Sequence, residues 1–573
     1  MPKQKAKKKK KPQQKKGKKP ASQIILDPKE KAAQKRKAKQ AKDKLMKTIG
    51  ISVACFIIFG VPLSFILEPK LGLVMGAGIP TLYVCYVYPR AALWFFVIYT
   101  PFSGTVQYQI MGGNAIFALA KDAFYMPALL GLIQASRKEK KSIFVSKELV
   151  KPLLFVFVCS ILTLLVVNGS MQFSPPCHSL PRGGQGMVCR DGIPFAQGIL
   201  GIKVLLGYVP LIFCTYYLVT NKKELLWVGR LHVILAIVCC GLGVVQYMML
   251  YLGICEGTRN AVGADLFKAS IDAKCLIGGS LTYSPQQAQI RLPGTLPSPW
   301  HWAWFLISNS AISFTTAFSD PSVIWKIIGL LSMALVFVNS VISGQRIALA
   351  LVPVVTVILL ILTGQVAQIK KFLPIGVGLA IVLSIAITLN PELVEERIES
   401  FQGRAEASPP HEFIEEQFHW AITQQRGFLG RGMGKATNST RVFGHAELVE
   451  TYHPKILYEM GWIGLFAYMF FLFTLAWVTF KSYRACKDPV IRSFGSSLWV
   501  FILIITIFPY WYPLDTDPVC VYYWFFAGIV IKAPIIDKEE RARLKALQEQ
   551  ELELLLQAEK RKKERFLKDA QTS

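Results

Sequence analysis

The sequence predicts an all-α, polytopic integral membrane protein with about fourteen transmembrane helices and a large extracytoplasmic loop. Of the 573 residues, 52% are hydrophobic, and the mean hydropathy is +0.38. The apolar residues form repeated runs of roughly 17–25 residues, which is the length that crosses the hydrocarbon core of a bilayer. Only helices and closed barrels satisfy every backbone hydrogen bond in lipid, and continuously apolar runs of this length form helices.

The apolar runs place the membrane spans and their connections. The predicted spans lie near residues 49–67, 71–88, 91–110, 114–135, 152–168, 196–219, 225–253, 300–317, 322–343, 347–363, 372–390, 456–480, 490–510 and 518–533. Connections on the cytoplasmic side should be rich in Lys and Arg. If the N-terminus is cytoplasmic, basic connections such as 137–141 and 481–487 face in, whereas the long connections 169–195, 254–299 and 391–455 face out. Register and charge therefore predict the same orientation.

Two charged tails flank the predicted membrane domain. The formal net charge of +29 comes largely from a Lys-rich tail, residues 1–47, and the segment 536–573 has Glu and Lys interleaved in a helical pattern. Between them lies a multi-span domain, residues 48–535. Because basic segments beside membrane helices stay inside, both termini are predicted to be cytoplasmic. No base-stacking aromatic residues interleave the lysines, so the sequence favours contact with membrane lipids and excludes nucleic acid as a partner.

Four of the twelve cysteines lie in the predicted outer loops. They are Cys177 with Cys189, in 169–195, and Cys255 with Cys275, in 254–299. Because an oxidising compartment converts such pairs to disulfides, we predict two bridges, with four free thiols as the alternative.

Three polar elements at the predicted outer face contain the candidate catalytic residues. They are Arg291 in RLPGTLPSPWHWAWFL, Arg346 in SGQRIALAL, and His453 in TYHPKILYEMGWIGLF. The planar, permanently charged guanidinium group of arginine suits phosphate, and histidine can accept a proton near neutral pH. We therefore expect a substrate with a pyrophosphate at the membrane surface, a lipid tail in the bilayer and a sugar chain outside.

Other cations are weaker candidates. Arg404 and Arg431, in the loop 391–455, and Lys203, inside a predicted span, are predicted to contribute to pyrophosphate binding. Lys121 and Asp122 are also predicted inside a span, where charge is costly and by default indicates function, unless the two neutralise each other. No metal site is predicted. The Asp-x-Asp of LDTDP, at 514–518, leaves a metal-dependent glycosyltransferase open, although short acidic turns are common.

The order of these motifs resembles the O-antigen ligase and Wzy-type polymerase superfamily of bacterial surface-polysaccharide enzymes. The resemblance covers about residues 150–480 and includes the three elements above and the long loop with Trp420 and GFLGRGMG. Pro454 stands where that superfamily usually has asparagine, so any role of that amide is absent here. The Lys-rich N-terminus, the KDA at 121–123 and IKVLLGYVPLIF are similar to the cyanobacterial hormogonium polysaccharide biosynthesis proteins.

The resemblance implies a metal-independent glycosyltransferase without a cofactor. It would transfer or polymerise a polyprenyl-pyrophosphate-linked glycan onto a hydroxyl of a glycan or lipid acceptor, at the outer face of the plasma (inner) membrane, in exopolysaccharide biosynthesis. Arg346 and Arg291 would bind the pyrophosphate and stabilise the leaving group, and His453 would act as the base. The alternative is a multi-span transporter of a solute such as inorganic carbon, although we find no repeat of interrupted helices typical of carriers.

Overall fold

The computed structural model describes only part of the chain. The described residues are 28–66, 69–113, 117, 120–174, 177–179, 187–189, 192–287, 289–365, 384, 388, 395, 409–508, 510 and 513–572. The predicted span at 372–390 and Arg404 therefore lie outside them, apart from isolated positions. The chain divides into two compact units, Met1–Val84 and Cys85–Ser573.

The first unit contains the first apolar helices of the chain. Helix α1 (Pro28–Cys55) is followed by a π-helical turn, Phe56–Gly60, and by α2 (Val61–Ile66). Helix α3 (Pro69–Val87) begins in this unit. The stretch Ala38–Ile66 is 29 residues long and apolar enough to cross a membrane. Apolar side chains of this stretch, such as Ile57 and Phe65, are exposed. Exposure of this kind is compatible with a membrane helix, because lipid tails are as apolar as these side chains.

The second unit is a bundle of helices with two small hairpins. Its helices are α4 (Pro89–Tyr99), α5 (Ala120–Lys138), α6 (Lys147–Leu162), α7 (Gly169–Phe173), α8 (Pro194–Leu206), α9 (Leu211–Leu218), α10 (Lys222–Tyr251), α11 (Pro299–Ser319), α12 (Val323–Ile342), α13 (Arg346–Leu362), α14 (Pro410–Gln424), α15 (Tyr452–Ala485), α16 (Pro489–Ile507) and α17 (Val519–Thr572). Its antiparallel hairpins pair β1 (Cys177–Ser179) with β2 (Met187–Cys189), and β3 (Thr282–Ser284) with β4 (Gln289–Arg291). Short 3₁₀ and π turns occupy Thr100–Phe102, Thr105–Ile110, Thr163–Asn168, Gly263–Phe267, Pro285–Gln287, Asn438–Phe443 and Pro513–Asp515.

Eight helical segments within the described part of the chain are long and apolar enough to span a bilayer. They are Ala38–Ile66, Lys147–Phe173, Pro194–Leu218, Lys222–Tyr251, Val323–Ile342, Tyr452–Ala485, Pro489–Ile507 and Val519–Glu564. Two shorter apolar helices are Val74–Val87 and Arg346–Leu362. The predicted class, a helical multi-pass membrane protein, is thus confirmed in its coarse form.

Local sequence sets the starts of several helices. Proline, which is pre-organised for the first helical turn, opens α8, α11 and α16. The Asn221 side chain accepts a hydrogen bond from the Glu224 N–H at the start of α10, and Asp488 accepts from the Val490 and Ile491 N–H groups at the start of α16. These caps satisfy backbone donors that the helix itself leaves unpaired.

Helix α11 lies at the centre of the bundle. Trp302, Trp304 and Phe314 on it are at most 1% exposed. Its buried serine and threonine hydroxyls hydrogen-bond within the bundle: Ser313 pairs with Ser332 of α12 at 2.7 Å. Helix α11 therefore coincides with the predicted span at 300–317 but is enclosed by other helices, which explains how it tolerates polar residues.

Contacts define two ends of the second unit. We call the end that contains Arg291 the site end; there the loops join through contacts between Thr105 and Thr295, Lys121 and Asp517, Gln197 and Gly434, and Leu292 and Ser343. At the opposite end, contacts join Arg90 to Glu224, Lys222 to Asp488, Arg230 to Asp320, and Lys481 to Glu148. The connections predicted to face out thus meet at one end, and those predicted to face in meet at the other.

Candidate functional site

Backbone pairing brings Arg291 and Arg346 together at the site end. Arg291 is the last residue of β4, and Arg346 is the first residue of α13. The Leu292 N–H donates to the Ser343 carbonyl at 3.0 Å. Gly344, at φ +67°, lies so close to β4 that a Cβ there would be 1.8 Å from the Ile290 carbonyl oxygen. Glycine at 344 therefore permits the close approach that places both arginines side by side.

The two arginines influence each other electrostatically. Burial lowers the pKa of Arg291, and the like charge of Arg346 lowers it further, whereas Glu450 and Tyr510 oppose the shift. Burial raises the pKa of Glu450, and Arg291 opposes that rise. Among the described residues, the two guanidinium groups and the Glu450 carboxyl group thus influence one another in a half-buried region, and paired guanidinium groups favour an anion.

Glu450 reaches this region through an isolated β-bridge. Thr451 pairs with Tyr510, which lies between α16 and α17. The Glu450 N–H donates to Oε1 of Gln417 on α14 at 3.0 Å. The segment that leads into α15 is therefore fixed on both sides, next to the arginines.

His453 lies on the first turn of α15 and is only 7% exposed. Its Nε2 is 3.2 Å from the Thr506 carbonyl oxygen of α16. Because a carbonyl oxygen only accepts, Nε2 must carry the hydrogen, and Nδ1 is then the basic nitrogen. Within the described residues, the buried Nδ1 has no hydrogen-bond partner. Its lone pair is therefore available to accept a proton.

The first turns of α15 form a separate short segment, 452–460. Gly461 breaks the helix, with φ +67° and ψ −169°. A Cβ on Gly461 would lie 2.2 Å from the Phe428 carbonyl oxygen of the glycine-rich loop, residues 427–437. The break therefore exists because this loop packs directly on the helix backbone.

Backbone hydrogen bonds fasten the glycine-rich loop to this break. The Arg431 N–H donates to the Tyr458 carbonyl at 2.8 Å, and the Gly432 N–H donates to the Glu459 carbonyl at 3.0 Å. The half-buried Arg431 donates its guanidinium Nε to the Gln424 carbonyl at the end of α14. Arg431 thus closes its own loop.

Three buried polar side chains from different helices hold the same loop. Asn168 donates to the Pro194 and Met433 carbonyls and accepts from the Met433 N–H. Gln197 of α8 donates to the Gly434 carbonyl at 3.2 Å. Glu459 accepts from the Ala436 N–H and the Thr437 hydroxyl. Buried polar groups that are satisfied in this way fix one loop conformation.

The two predicted cations inside spans, Lys203 and Lys121, form half-buried ion pairs. Lys203 pairs with Asp122, which also accepts from the Tyr208 hydroxyl at 2.6 Å. Lys121 pairs with Asp517. Lys121 and Asp122 therefore do not form the pair that their adjacency suggests, because each finds its partner on another segment. Lys203 is likewise committed to a carboxylate and does not lie beside the arginine pair in any contact of the described residues.

Both aspartates of LDTDP bind lysines. Asp515 pairs with Lys455 of α15, and Asp517 pairs with Lys121 of α5. Burial raises the pKa of Asp517, but the charge and hydrogen bond of Lys121, together with His301 and Cys520, more than offset burial and lower the pKa, so Asp517 is a carboxylate. Across the described part of the chain, no group of three or more His, Cys, Asp and Glu could hold a metal ion. The turn thus connects α5 and α15 to the start of α17.

The predicted cysteine pairs have different outcomes. Cys255 and Cys275 form a disulfide in the connection between α10 and α11. Cys177 and Cys189 lie opposite each other in the β1–β2 register, but their side chains lie outside the described part of the structure.

No protein-family model matches the chain, and no curated protein matches it. The resemblance to the O-antigen ligase superfamily therefore stays a prediction, and the functional argument depends on the geometry of the site end.

Sequence reasoning missed four residues that build this region: Asn168, Gln197, Glu450 and Glu459. Asn168 and Glu459 are polar residues within helical segments that can span a membrane. A polar side chain inside a membrane helix is energetically costly unless it has hydrogen-bond partners, so its presence in the sequence indicates a functional or structural role. Gln197 is also a polar residue within such a segment, Pro194–Leu218, whereas Glu450 had no comparable signal, because its partner is an arginine of another hairpin.

Proposed function

We propose that the protein transfers or polymerises a polyprenyl-pyrophosphate-linked glycan onto an acceptor hydroxyl at the outer face of the plasma (inner) membrane. The observation that carries the proposal is the juxtaposition of Arg291 and Arg346, which are 55 positions apart in the sequence and share one electrostatic environment. Two like charges repel, and a doubly charged phosphate group between them would convert that repulsion into attraction.

The arginine pair supplies the donor site. Arginine binds phosphate oxygens in pairs and remains charged at any physiological pH. When the glycosidic bond to the pyrophosphate breaks, negative charge grows on the leaving group, and fixed guanidinium groups stabilise that charge. Removal of one such donor typically costs about 2.7–4 kcal/mol of barrier, or roughly 100- to 1,000-fold in rate. Glu450 limits the net charge of the free site.

His453 supplies the base. Its Nδ1 can accept the proton of the attacking hydroxyl, while the Thr506 carbonyl fixes the tautomer and the ring orientation. The acceptor oxygen then forms a bond to the anomeric carbon as the bond to the pyrophosphate breaks, with inversion. The proton leaves on the imidazole, and the lipid pyrophosphate is released. No nucleotide sugar, cofactor or metal takes part in the proposed reaction.

The proposal includes a topology. About fourteen spans cross the plasma membrane, both termini are cytoplasmic, and the site end, with the outer loop 391–455, faces out. Two findings support it: connections predicted to share a face meet at one end of the second unit, and Cys255 and Cys275 are bonded there, as expected of an oxidising compartment.

The test is glycan transfer by the purified protein in detergent. We expect Arg346→Ala and His453→Ala to lower the rate at least 100-fold with normal folding, whereas the exposed Arg441→Ala and His411→Ala, as matched controls, keep it. Arg346→Lys should stay far below wild type, because an ammonium group cannot replace the paired donors. Wild-type rates in both Arg346→Ala and His453→Ala would refute the assignment.

Transport of a solute such as inorganic carbon is the second candidate. The two half-buried pairs Lys121–Asp517 and Asp122–Lys203 favour it, because charged groups inside a membrane protein often mark ion or proton paths. A carrier needs two compartments, whereas a transferase works in micelles. Turnover in detergent would therefore select the transferase, and solute uptake into vesicles without turnover in detergent would select the carrier.

A further inference from the structure

We propose that the protein binds an anionic phospholipid of the bilayer, with one acyl chain between α5, α6 and α8–α9 and the headgroup against the basic connection 137–151. This site is separate from the donor site proposed above and does not depend on it.

The cavity has a volume of about 710 Å³. Its walls are apolar side chains of α5, α6, α8 and α9, such as Leu129, Leu153, Ile202 and Phe213. That volume lies in the range of sites that hold small organic ligands. Two of the segments that form the walls, Lys147–Phe173 and Pro194–Leu218, are long and apolar enough to cross a bilayer, so the chemical class that can enter from the side is a hydrocarbon chain.

Among the described residues that line the cavity, Lys203 is the one with a charged side chain. Its ammonium group is taken by Asp122 and lies 5.2 Å from the centre of the Tyr208 ring. Lys203 therefore offers its methylene stem to the cavity, and its charge is directed to the site end. This end of the cavity suits the end of an acyl chain and does not suit a headgroup.

Ile143, Phe144, Val145 and Ser146 line the other end of the cavity, and the Phe144 side chain there is 60% exposed. The surrounding connection, residues 137–151, has six basic and two acidic side chains, a formal net charge of +4. The Tyr217 hydroxyl of α9 donates to the Ser142 carbonyl at 2.7 Å, which fixes this connection over the mouth. Lys140, Lys147 and Lys151 are exposed around it. An apolar channel below a cationic rim matches a phospholipid with an anionic headgroup.

Two variants separate the chain from the headgroup. Leu154 and Leu165 lie on the same membrane helix and are 58% and 57% exposed, but only Leu154 lines the cavity. Leu154→Trp adds bulk to the cavity, and Leu165→Trp is its matched control. The second variant, Lys140→Gln/Lys147→Gln/Lys151→Gln, changes only exposed side chains and so leaves folding intact; Lys545→Gln/Lys560→Gln/Lys562→Gln on the exposed part of α17 is its control.

Native mass spectrometry of the full chain in detergent, with added phosphatidylglycerol, phosphatidylcholine or polyprenyl phosphate, measures the binding. We expect wild type and both controls to retain one phosphatidylglycerol. We expect Leu154→Trp to lose it, and the triple-lysine variant to bind it roughly 100-fold more weakly, since each lysine near a charged surface contributes about fivefold. Equal retention of phosphatidylcholine, no effect of either variant, or displacement of phosphatidylglycerol by polyprenyl phosphate would overturn the proposal. Lipid retention is measured without glycan transfer, so the lipid site and the proposed transferase activity can each be refuted independently of the other.

Discussion

The ion pair between Lys455 and Asp515 gives the sharpest prediction on stability. The Lys455 side chain is 2% exposed and the Asp515 side chain 10%. Glu459 lies close enough to be attracted by Lys455 and repelled by Asp515. Lys455→Met would therefore leave two buried carboxylates next to each other and without their shared cation.

The cost follows from that geometry. Breaking a buried pair by removing one partner typically costs about 3–5 kcal/mol, and we expect Lys455→Met to reach this range. Asp515→Asn should cost less, because Lys455 keeps its attraction to Glu459. The double variant Lys455→Met/Asp515→Asn should recover most of the loss, since it leaves neither member of the pair charged.

The assay is the free energy of unfolding in mixed micelles titrated with a denaturing detergent. Lys481→Met is the matched control, because its partner Glu148 is also surface-exposed, and an exposed pair contributes about 0–1 kcal/mol. The reasoning is refuted if Lys455→Met costs no more than Lys481→Met, or if the double variant loses the sum of its two single losses.

Two further predictions concern the glycine break and the glutamate beside the arginines. Gly461→Ala should reduce both stability and glycan transfer, because its Cβ would lie 2.2 Å from the Phe428 carbonyl oxygen, whereas Gly241→Ala, with nothing within 4 Å, should not; a measured unfolding free energy equal in both would contradict the tight packing. Burial raises the pKa of Glu450 above the ordinary 4.5, so the folded state holds its proton more tightly, and stability should fall as pH rises from about 4.5 through the raised value. Glu450→Gln should flatten that part of a stability–pH profile, whereas Glu412→Gln on α14 should leave it unchanged; parallel profiles for all three proteins would exclude Glu450 as the source.

Much of the fold was predictable because membrane spans depend on local composition. The runs at 196–219, 225–253 and 490–510 match Pro194–Leu218, Lys222–Tyr251 and Pro489–Ile507 closely. The predicted span 91–110 is interrupted near Pro101 and Gly104, since α4 ends at Tyr99 and gives way to 3₁₀ and π turns. The length and hydropathy of a segment do not depend on its tertiary contacts, so the predicted spans agree with the helices of the structure.

The pairing of charges was not predictable for the opposite reason. Lys121 and Asp517 are separated by 396 positions, and Asp122 finds Lys203 on another helix. No local pattern distinguishes such partners from the adjacent Lys121–Asp122 pair. The meeting of Arg291 and Arg346 was anticipated from sidedness alone, but its cause, the β4 strand packed against Gly344, required coordinates.

The site end was therefore predicted in its location but not in its construction. The sequence motif GFLGRGMG indicated a turn, yet what fixes that turn is Asn168, Gln197 and Glu459, which lie on three separate helical segments. Each of these side chains hydrogen-bonds to the loop backbone. Because nearly every residue carries the same backbone groups, the sequence does not show which loop position a side chain will bind.

Labelling of two exposed positions tests most directly the claim that the site end faces outward. Val442, in the loop before α15, is 69% exposed at the site end, and Lys140 is exposed at the opposite end. A membrane-impermeant maleimide applied to intact spheroplasts should label Val442→Cys at once and Lys140→Cys only after permeabilisation, each measured above the signal of the unmodified chain. Labelling in the reverse order would place the arginine pair and His453 in the cytoplasm and contradict glycan transfer at the outer face.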